Sequence, residues 1–264
     1  MTNDLVWKGD SGLVDVRLDG DIAVLRLNRP DKLNALTIDM LLDVGEGLRS
    51  FGDRSKAAAI VITGEGRAFS AGDDLKMTED LDDSGFGDLI RSFQALTLAV
   101  LGSEVPVIAA LNGLVVGGAA EWVLACDARV GCSATYFLFP ENGVGLTISN
   151  ASTYLLPRLL GGRALPIVLS GERIQSEEAH RLGLIDYLED QPADAVGKAV
   201  ELARAWSRPG LTTALHIKML RPPIAEIQAA IERENEFAAE VWKRDLARTG
   251  IGRFYSGRNR GAGS

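Results

Sequence analysis

Short apolar runs leave this chain little choice of architecture. Residues 58–63 (Ala-Ala-Ile-Val-Ile-Thr) and 105–111 (Val-Pro-Val-Ile-Ala-Ala-Leu) carry almost nothing polar, and Ile22–Leu27 carries only Arg26. A strand with no polar face must be covered on both sides, which is the situation of a buried sheet. Pro106 fits at the start of such a strand. Between the runs the spacing turns helical. Thr37 is placed to cap a helix carrying Met40, Leu41, Val44 and Leu48, and residues 89–101 and 119–126 read as further helices. Strands alternating with helices define an α/β fold class. Residues 78–88 are acidic, contain Gly85 and Gly87, and read as a mobile loop.

The texture changes after about Gln191. Helices are expected over residues 195–206, 211–220 and 224–242, broken by Pro209-Gly210 and Pro222-Pro223. The chain thus divides into a core of residues 1–190 and a helical region of residues 191–264. Its last residues, 257–264, have the composition of a disordered tail.

Composition removes several function classes. Acidic residues outnumber basic ones, 36 to 28, for a net charge of −8. That argues against nucleic acid or an anionic membrane as a partner. With only His180 and His216, a histidine-rich zinc centre or a mechanism using several imidazoles is excluded, and no metal site is expected. Cys126 and Cys132 belong to no CxxC pair, and the N-terminus lacks a basic stretch followed by an apolar one. Reduced thiols in a cytoplasmic protein are the reading. The most apolar stretch, residues 105–120, is shorter than a membrane span and is interrupted by Pro106, Asn112, Gly113, Gly117 and Gly118. No Walker A, no GxGxxG after the first strand and no GxSxG is present.

Two loops that follow buried strands carry the chemical signal. One is Ala71-Gly72-Asp73-Asp74; the other is Gly117-Gly118-Ala119-Ala120-Glu121. Small residues there let backbone N–H groups face a ligand, and the Gly118 amide would sit at a helix N-terminus. Two such amides converging on one point would form an oxyanion hole, although glycines of this kind also serve only for packing. Glu121 stands one turn from Gly118 among apolar neighbours, which suggests a buried carboxyl with a raised pKa, suited to proton transfer near neutrality. Glu141 follows the apolar run Tyr136-Phe137-Leu138-Phe139-Pro140, at a strand end where α/β sites lie.

The ordered set of these features resembles the crotonase, or enoyl-CoA hydratase/isomerase, superfamily. The matching pieces are Leu27-Asn28-Arg29-Pro30 with Asn34-Ala35-Leu36, then residues 68–76, Pro106 through Gly113, Gly117-Gly118 with Glu121, and Cys126-Asp127. Pro140-Glu141, Leu156-Pro157-Arg158, Ser170-Gly171, Ala179 and Gly183-Leu184-Ile185 continue the order. The resemblance implies a spiral of ββα units followed by helices that build a homotrimer or a dimer of trimers. It implies an acyl-CoA thioester substrate and no cofactor, coenzyme A being part of that substrate. By position, the N–H groups of Asp73 and Gly118 would be the oxyanion donors, and Ala68, Ala71, Leu75 and Lys76 would line the coenzyme A path. Both glutamates of the hydratases are kept, as Glu121 and Glu141, cooperating around one water, with Glu141 the α-proton donor.

The departures from the family pattern are local. A glycine-rich loop after the second glutamate is replaced by Ile148-Ser149-Asn150-Ala151-Ser152, which brings Ser149 and Asn150 to the acyl pocket and the water position. Asp73 stands where the family has a small residue. Hydration of a 2-enoyl-CoA is therefore the first reading. An isomerase, decarboxylase or other lyase of the superfamily is the second, and a non-catalytic coenzyme A-binding trimer the third.

Overall fold

The computed structural model describes residues 3–208, 210–244, 246–247 and 249–252. The expected tail of residues 257–264 lies outside them. Two sheets organise the chain. The larger has seven strands in the order Asn3–Lys8, Val14–Asp19, Ile22–Leu27, Ala59–Gly64, Val107–Leu111, Ala128–Cys132, Tyr187–Glu189. The first three are an antiparallel meander, and every pairing from Ile22–Leu27 onward is parallel. The smaller sheet runs Ile174–Gln175, Tyr136–Leu138, Leu114–Val116, Ala68–Ser70, parallel except at its first pair.

The apolar runs are explained by this arrangement. Side chains alternate across a strand. Ile60, Ile62, Val107, Ala109 and Leu111 enter the main core with Leu41, Phe69, Phe93 and Trp122. Their neighbours Ala59, Val61, Ile108, Ala110, Ala128 and Val130 point the other way, onto Ala195, Ala199, Leu202 and Ala203. Those last four belong to the helix Pro192–Trp206. The first helix after residue 190 thus seals the far face of the large sheet, and the core continues past the boundary expected from composition.

Three successive turns of the chain repeat one plan. A strand of the large sheet is followed by a strand of the small sheet and then by a short helix. Ala59–Gly64 leads to Ala68–Ser70 and Leu75–Glu79; Val107–Leu111 to Leu114–Val116 and Gly118–Trp122; Ala128–Cys132 to Tyr136–Leu138 and Glu141–Val144. Because the three small strands are parallel neighbours, the loops at their C-terminal ends lie side by side. Asp73 lies in one of those loops, and Gly118 and Glu141 open the helices that follow the other two.

Two sequence expectations are corrected. Residues 78–88 are not a loop: Leu75–Glu79 is a helix, and a long helix already begins at Asp83 and runs to Gly102. The Asp82 side chain caps it by accepting from the Gly85 amide. A single Asp at an N-cap makes an acidic, glycine-containing opening compatible with helix, and Phe86, Leu89 and Phe93 supply the buried stripe. The expected helix over residues 119–126 is shorter, Gly118–Trp122, and tightens into a 3₁₀ turn at Val123–Ala125.

Candidate active site

The loops converge on a cavity of about 850 Å³. Asp73, Gly117, Gly118, Glu121, Glu141 and Ser149 line it, as do Ala71, Leu75 and Lys76. Ala68 does not: it is a buried residue of the strand below, and its carbonyl accepts from Asn34 Nδ2. Asn150 lies behind the wall, fully buried.

The glycines are required by the backbone. Gly72 sits at φ +80°, and a Cβ there would fall 2.4 Å from the Val116 carbonyl oxygen, so the first and second turns touch at that point. A Cβ on Gly118 would lie 2.7 Å from Asp73 Oδ1 and 2.7 Å from Phe93 Cε1. Gly118 opens the helix Gly118–Trp122, which places Glu121 in its first turn as the spacing predicts.

Glu121 is 1% exposed. The Ser149 amide donates to both of its oxygens at 3.1 Å; the Ser149 hydroxyl at 2.8 Å and Asn150 Nδ2 at 2.9 Å both donate to Oε2. The residues that replace the glycine-rich loop are thus used to grip Glu121. Burial pushes this carboxyl well above its usual range, with the neighbouring Glu141 adding to the shift and the Ser149 donors opposing it. Glu141 is differently placed. It is 6% exposed, and its Oε2 is shut off from solvent with no hydrogen-bond partner. Burial pushes it up to about 8, opposed by its own amide, while Asp73 adds repulsion. One carboxyl is thus held by three donors from neighbouring residues and the other keeps one oxygen unpartnered, an asymmetry suited to a base beside an acid.

Sequence reasoning missed what holds the grip in place. Asn150 and Ala151 are both left-handed, at φ 61° and 59°. Such backbone costs a non-glycine residue energy unless its surroundings impose it. They do so through Glu234 of the C-terminal helix Ile224–Lys243. This carboxylate, 2% exposed, accepts from the Ala151 amide at 2.8 Å, the Thr153 amide at 2.8 Å and the Thr153 hydroxyl at 2.7 Å. No local pattern links residues 151 and 234; only the fold joins them. Glu234→Ala leaves these donors unpaired, and we expect a loss of about 1–3 kcal/mol of stability and a roughly tenfold lower kcat as Glu121 loses its register. A melting curve with a kcat measurement checks both, and an unchanged kcat would show that the clamp does not reach Glu121.

Other contributors were also invisible. Phe86, Ile90 and Phe93 of the helix Asp83–Gly102 line the cavity, as do Ala238 and Val241 of the C-terminal helix. Phe86 stacks on Trp242 at 4.0 Å between centroids. Cationic side chains surround the opening: Lys32, Lys76, Arg173, and Arg29, whose guanidinium pairs with Asp74 at 2.7 Å. Tyr136 also lines the cavity, with the Arg173 guanidinium above its ring at 4.8 Å. His180 and His216 are both exposed, and neither lines the cavity. Among the described residues no cluster of three or more potential metal ligands occurs.

This spiral, with paired buried acids beside glycine amides, defines a class of enzyme, and comparison with known proteins gives its family. The sequence profile of the enoyl-CoA hydratase/isomerase family matches residues 17–259. The short-chain-enoyl-CoA hydratase of Clostridium acetobutylicum is 35% identical over 191 residues, covering 70% of this chain and 71% of its own. The crotonyl-CoA hydratase of Syntrophomonas wolfei is 33% identical over 184 residues, 69% of this chain and 70% of its own. In fold, the enoyl-CoA hydratase from Bacillus halodurans superposes with a TM-score of 0.84 at 24% identity, covering 91% of this chain and 99% of that one. The chain belongs to the enoyl-CoA hydratase/isomerase family and is an enzyme of the crotonase superfamily.

Proposed function

We propose that this enzyme adds water reversibly across the double bond of a 2-enoyl-CoA. The observation that carries the reading is the pair of buried carboxyls on one cavity, Glu121 held by three donor groups and Glu141 with its Oε2 unpartnered. Glu121 takes a proton from water, whose oxygen forms a bond to the β-carbon. The π electrons move to the thioester oxygen, which the amides of Asp73 and Gly118 stabilise. Glu141 then gives its proton to the α-carbon, the substrate gains the elements of one water, and the proton left on Glu121 passes to Glu141 before the next turnover. No cofactor is needed beyond the coenzyme A that the substrate carries. Its phosphates suit Lys32, Lys76 and Arg173, and its pantetheine arm would pass Ala71 and Leu75. The test is loss of the conjugated-enoyl absorbance when short and medium 2-enoyl-CoAs are mixed with the protein. Exchange of α-hydrogen for deuterium without hydration would instead favour an isomerase.

The assembly is read as a homotrimer, or a dimer of trimers, with a cytoplasmic setting. The helix Thr212–Leu220 buries no residue in the single chain, and Met219 and Leu220 are 76% and 82% exposed. Leu211 and Leu215 are exposed beside them, and Leu165 and Leu169 elsewhere. Apolar surface of this kind is usual where subunits meet. Light scattering should give three or six times the 28.2 kDa chain mass; a monomer would remove the trimer. No helix among the described residues is long and apolar enough to cross a membrane. Cys126 and Cys132 are buried free thiols, and burial pushes the Cys126 thiol up to about 12, which makes it a poor nucleophile.

A further inference from the structure

The hydration reading gives Asp73 a role only through its backbone. Its side chain stands in the same place. Asp73 Oδ1 is shut off from solvent, has no hydrogen-bond partner, and lies against Gly118, 2.7 Å from where a Cβ on that residue would be. The residue lines the cavity. The amides of Asp73 and Gly118, assigned above to the thioester oxygen, favour the ionised form of this carboxyl, although neither completes a hydrogen bond to Oδ1. An anion of the protein's own is therefore placed where the substrate's oxygen must acquire negative charge.

We propose that Asp73 gates the oxyanion site, which accepts a thioester oxygen only when the Asp73 carboxyl is neutral, so that acyl-CoA binding is coupled to uptake of one proton. Ionised, the side chain competes for the two amides and repels the incoming oxygen. Neutral, it does neither. The proposal rests on the hydration reading for the position of the thioester, and its test is one of binding. The surrounding charges bear on the same equilibrium. Glu141 and Glu121 share the cavity, and a negative charge on Asp73 is disfavoured beside Glu141. Asp74, next in the chain, is neutralised by Arg29. Lys32, Lys76 and Arg173 line the cavity without pairing to Asp73, and Tyr136 lies with Arg173. The long helix presents apolar Phe93 to Gly118, and the C-terminal helix presents Ala238 and Val241. Burial pushes the free Asp73 carboxyl up to about 6, with the two amides opposing.

The sign follows. Below about 6 the free protein already holds the proton and affinity does not vary on this account. Above it, binding must recruit a proton, and the Kd of a saturated acyl-CoA rises about tenfold per pH unit. A saturated chain cannot be hydrated, so catalysis does not enter the measurement. Free coenzyme A, with the same phosphates and no thioester, serves as the reference. Isothermal titration of butyryl-CoA against coenzyme A, from pH 5.5 to 8.5 in two buffers of different ionisation enthalpy, gives both the affinity and the protons taken up. The wild type is expected to take up close to one more proton with butyryl-CoA than with coenzyme A at pH 7.5. Asp73→Asn and Asp73→Ala are each expected to lose that excess and to bind butyryl-CoA at least about tenfold more tightly than wild type at pH 8. Equal proton uptake for the two ligands in the wild type, or an excess that persists in both variants, overturns the gate. Absence of hydration with the linkage intact would overturn the proposed reaction and leave the gate standing.

Discussion

Replacing Glu121 with Gln will lower kcat for hydration by about 10³-fold while the protein melts no earlier than wild type. The two halves of this result come from the same contacts. Both Glu121 oxygens accept from the Ser149 amide, and Oε2 also accepts from the Ser149 hydroxyl and Asn150 Nδ2. A glutamine can turn its carbonyl oxygen to the Oε2 position and keep the stronger side of this grip. Its amide nitrogen cannot take a proton from water. The variant also removes the need to bury a carboxyl that its surroundings push toward neutrality. Folding is therefore spared and the base is lost. Steady-state kinetics with a thermal melt separates the outcomes: activity within tenfold of wild type would remove Glu121 as the base, and a large fall in melting temperature would make the loss structural.

How the site came to be readable explains what was not. Asp73 lies in a short loop, and Gly118, Glu121 and Glu141 in the first turns of short helices, each just after a strand of the small sheet. Repetition of one strand–strand–helix plan brings them to one cavity, so local pattern was enough to single out residues that the fold places together. The large sheet was legible for the same reason: residues such as Val61 and Ile62 need cover on both faces. The two N-terminal strands, Asn3–Lys8 and Val14–Asp19, escaped notice because they are a mixed-polarity edge of that sheet. The opening of the helix at Asp83 was lost to its acidic composition, although those acids belong at a helix N-terminus. Glu234 was the costliest omission. A glutamate on an amphipathic helix reads as solvated, and only long-range packing turns it onto Ala151 and Thr153.

Glu141 is the residue whose removal should alter the pH profile as well as the rate. Its carboxyl sits at about 8, so the proton needed at the α-carbon is present below that value and lost above it. With saturating substrate, any proton taken up at Asp73 has already been acquired, and kcat reports the complex rather than the free enzyme. We expect kcat/KM to begin to fall from about 6, where Asp73 titrates in the free protein, whereas kcat holds through that range and falls only at higher pH, where Glu141 loses its proton in the complex. Glu141→Gln should lower kcat by about 10²–10⁴ and erase the alkaline limb of kcat. Stability supplies an independent check. A carboxyl whose pKa is higher folded than unfolded binds more protons in the native state, so stability is lost as pH rises from its ordinary 4.5 toward 8. The melting temperature of the wild type should decline across that interval, and that of Glu141→Gln should decline less. A variant that kept both the alkaline limb and the wild-type slope would move the general acid away from Glu141, leaving Asp73, whose Oδ1 is closed off from solvent, as the other cavity carboxyl able to hold that proton.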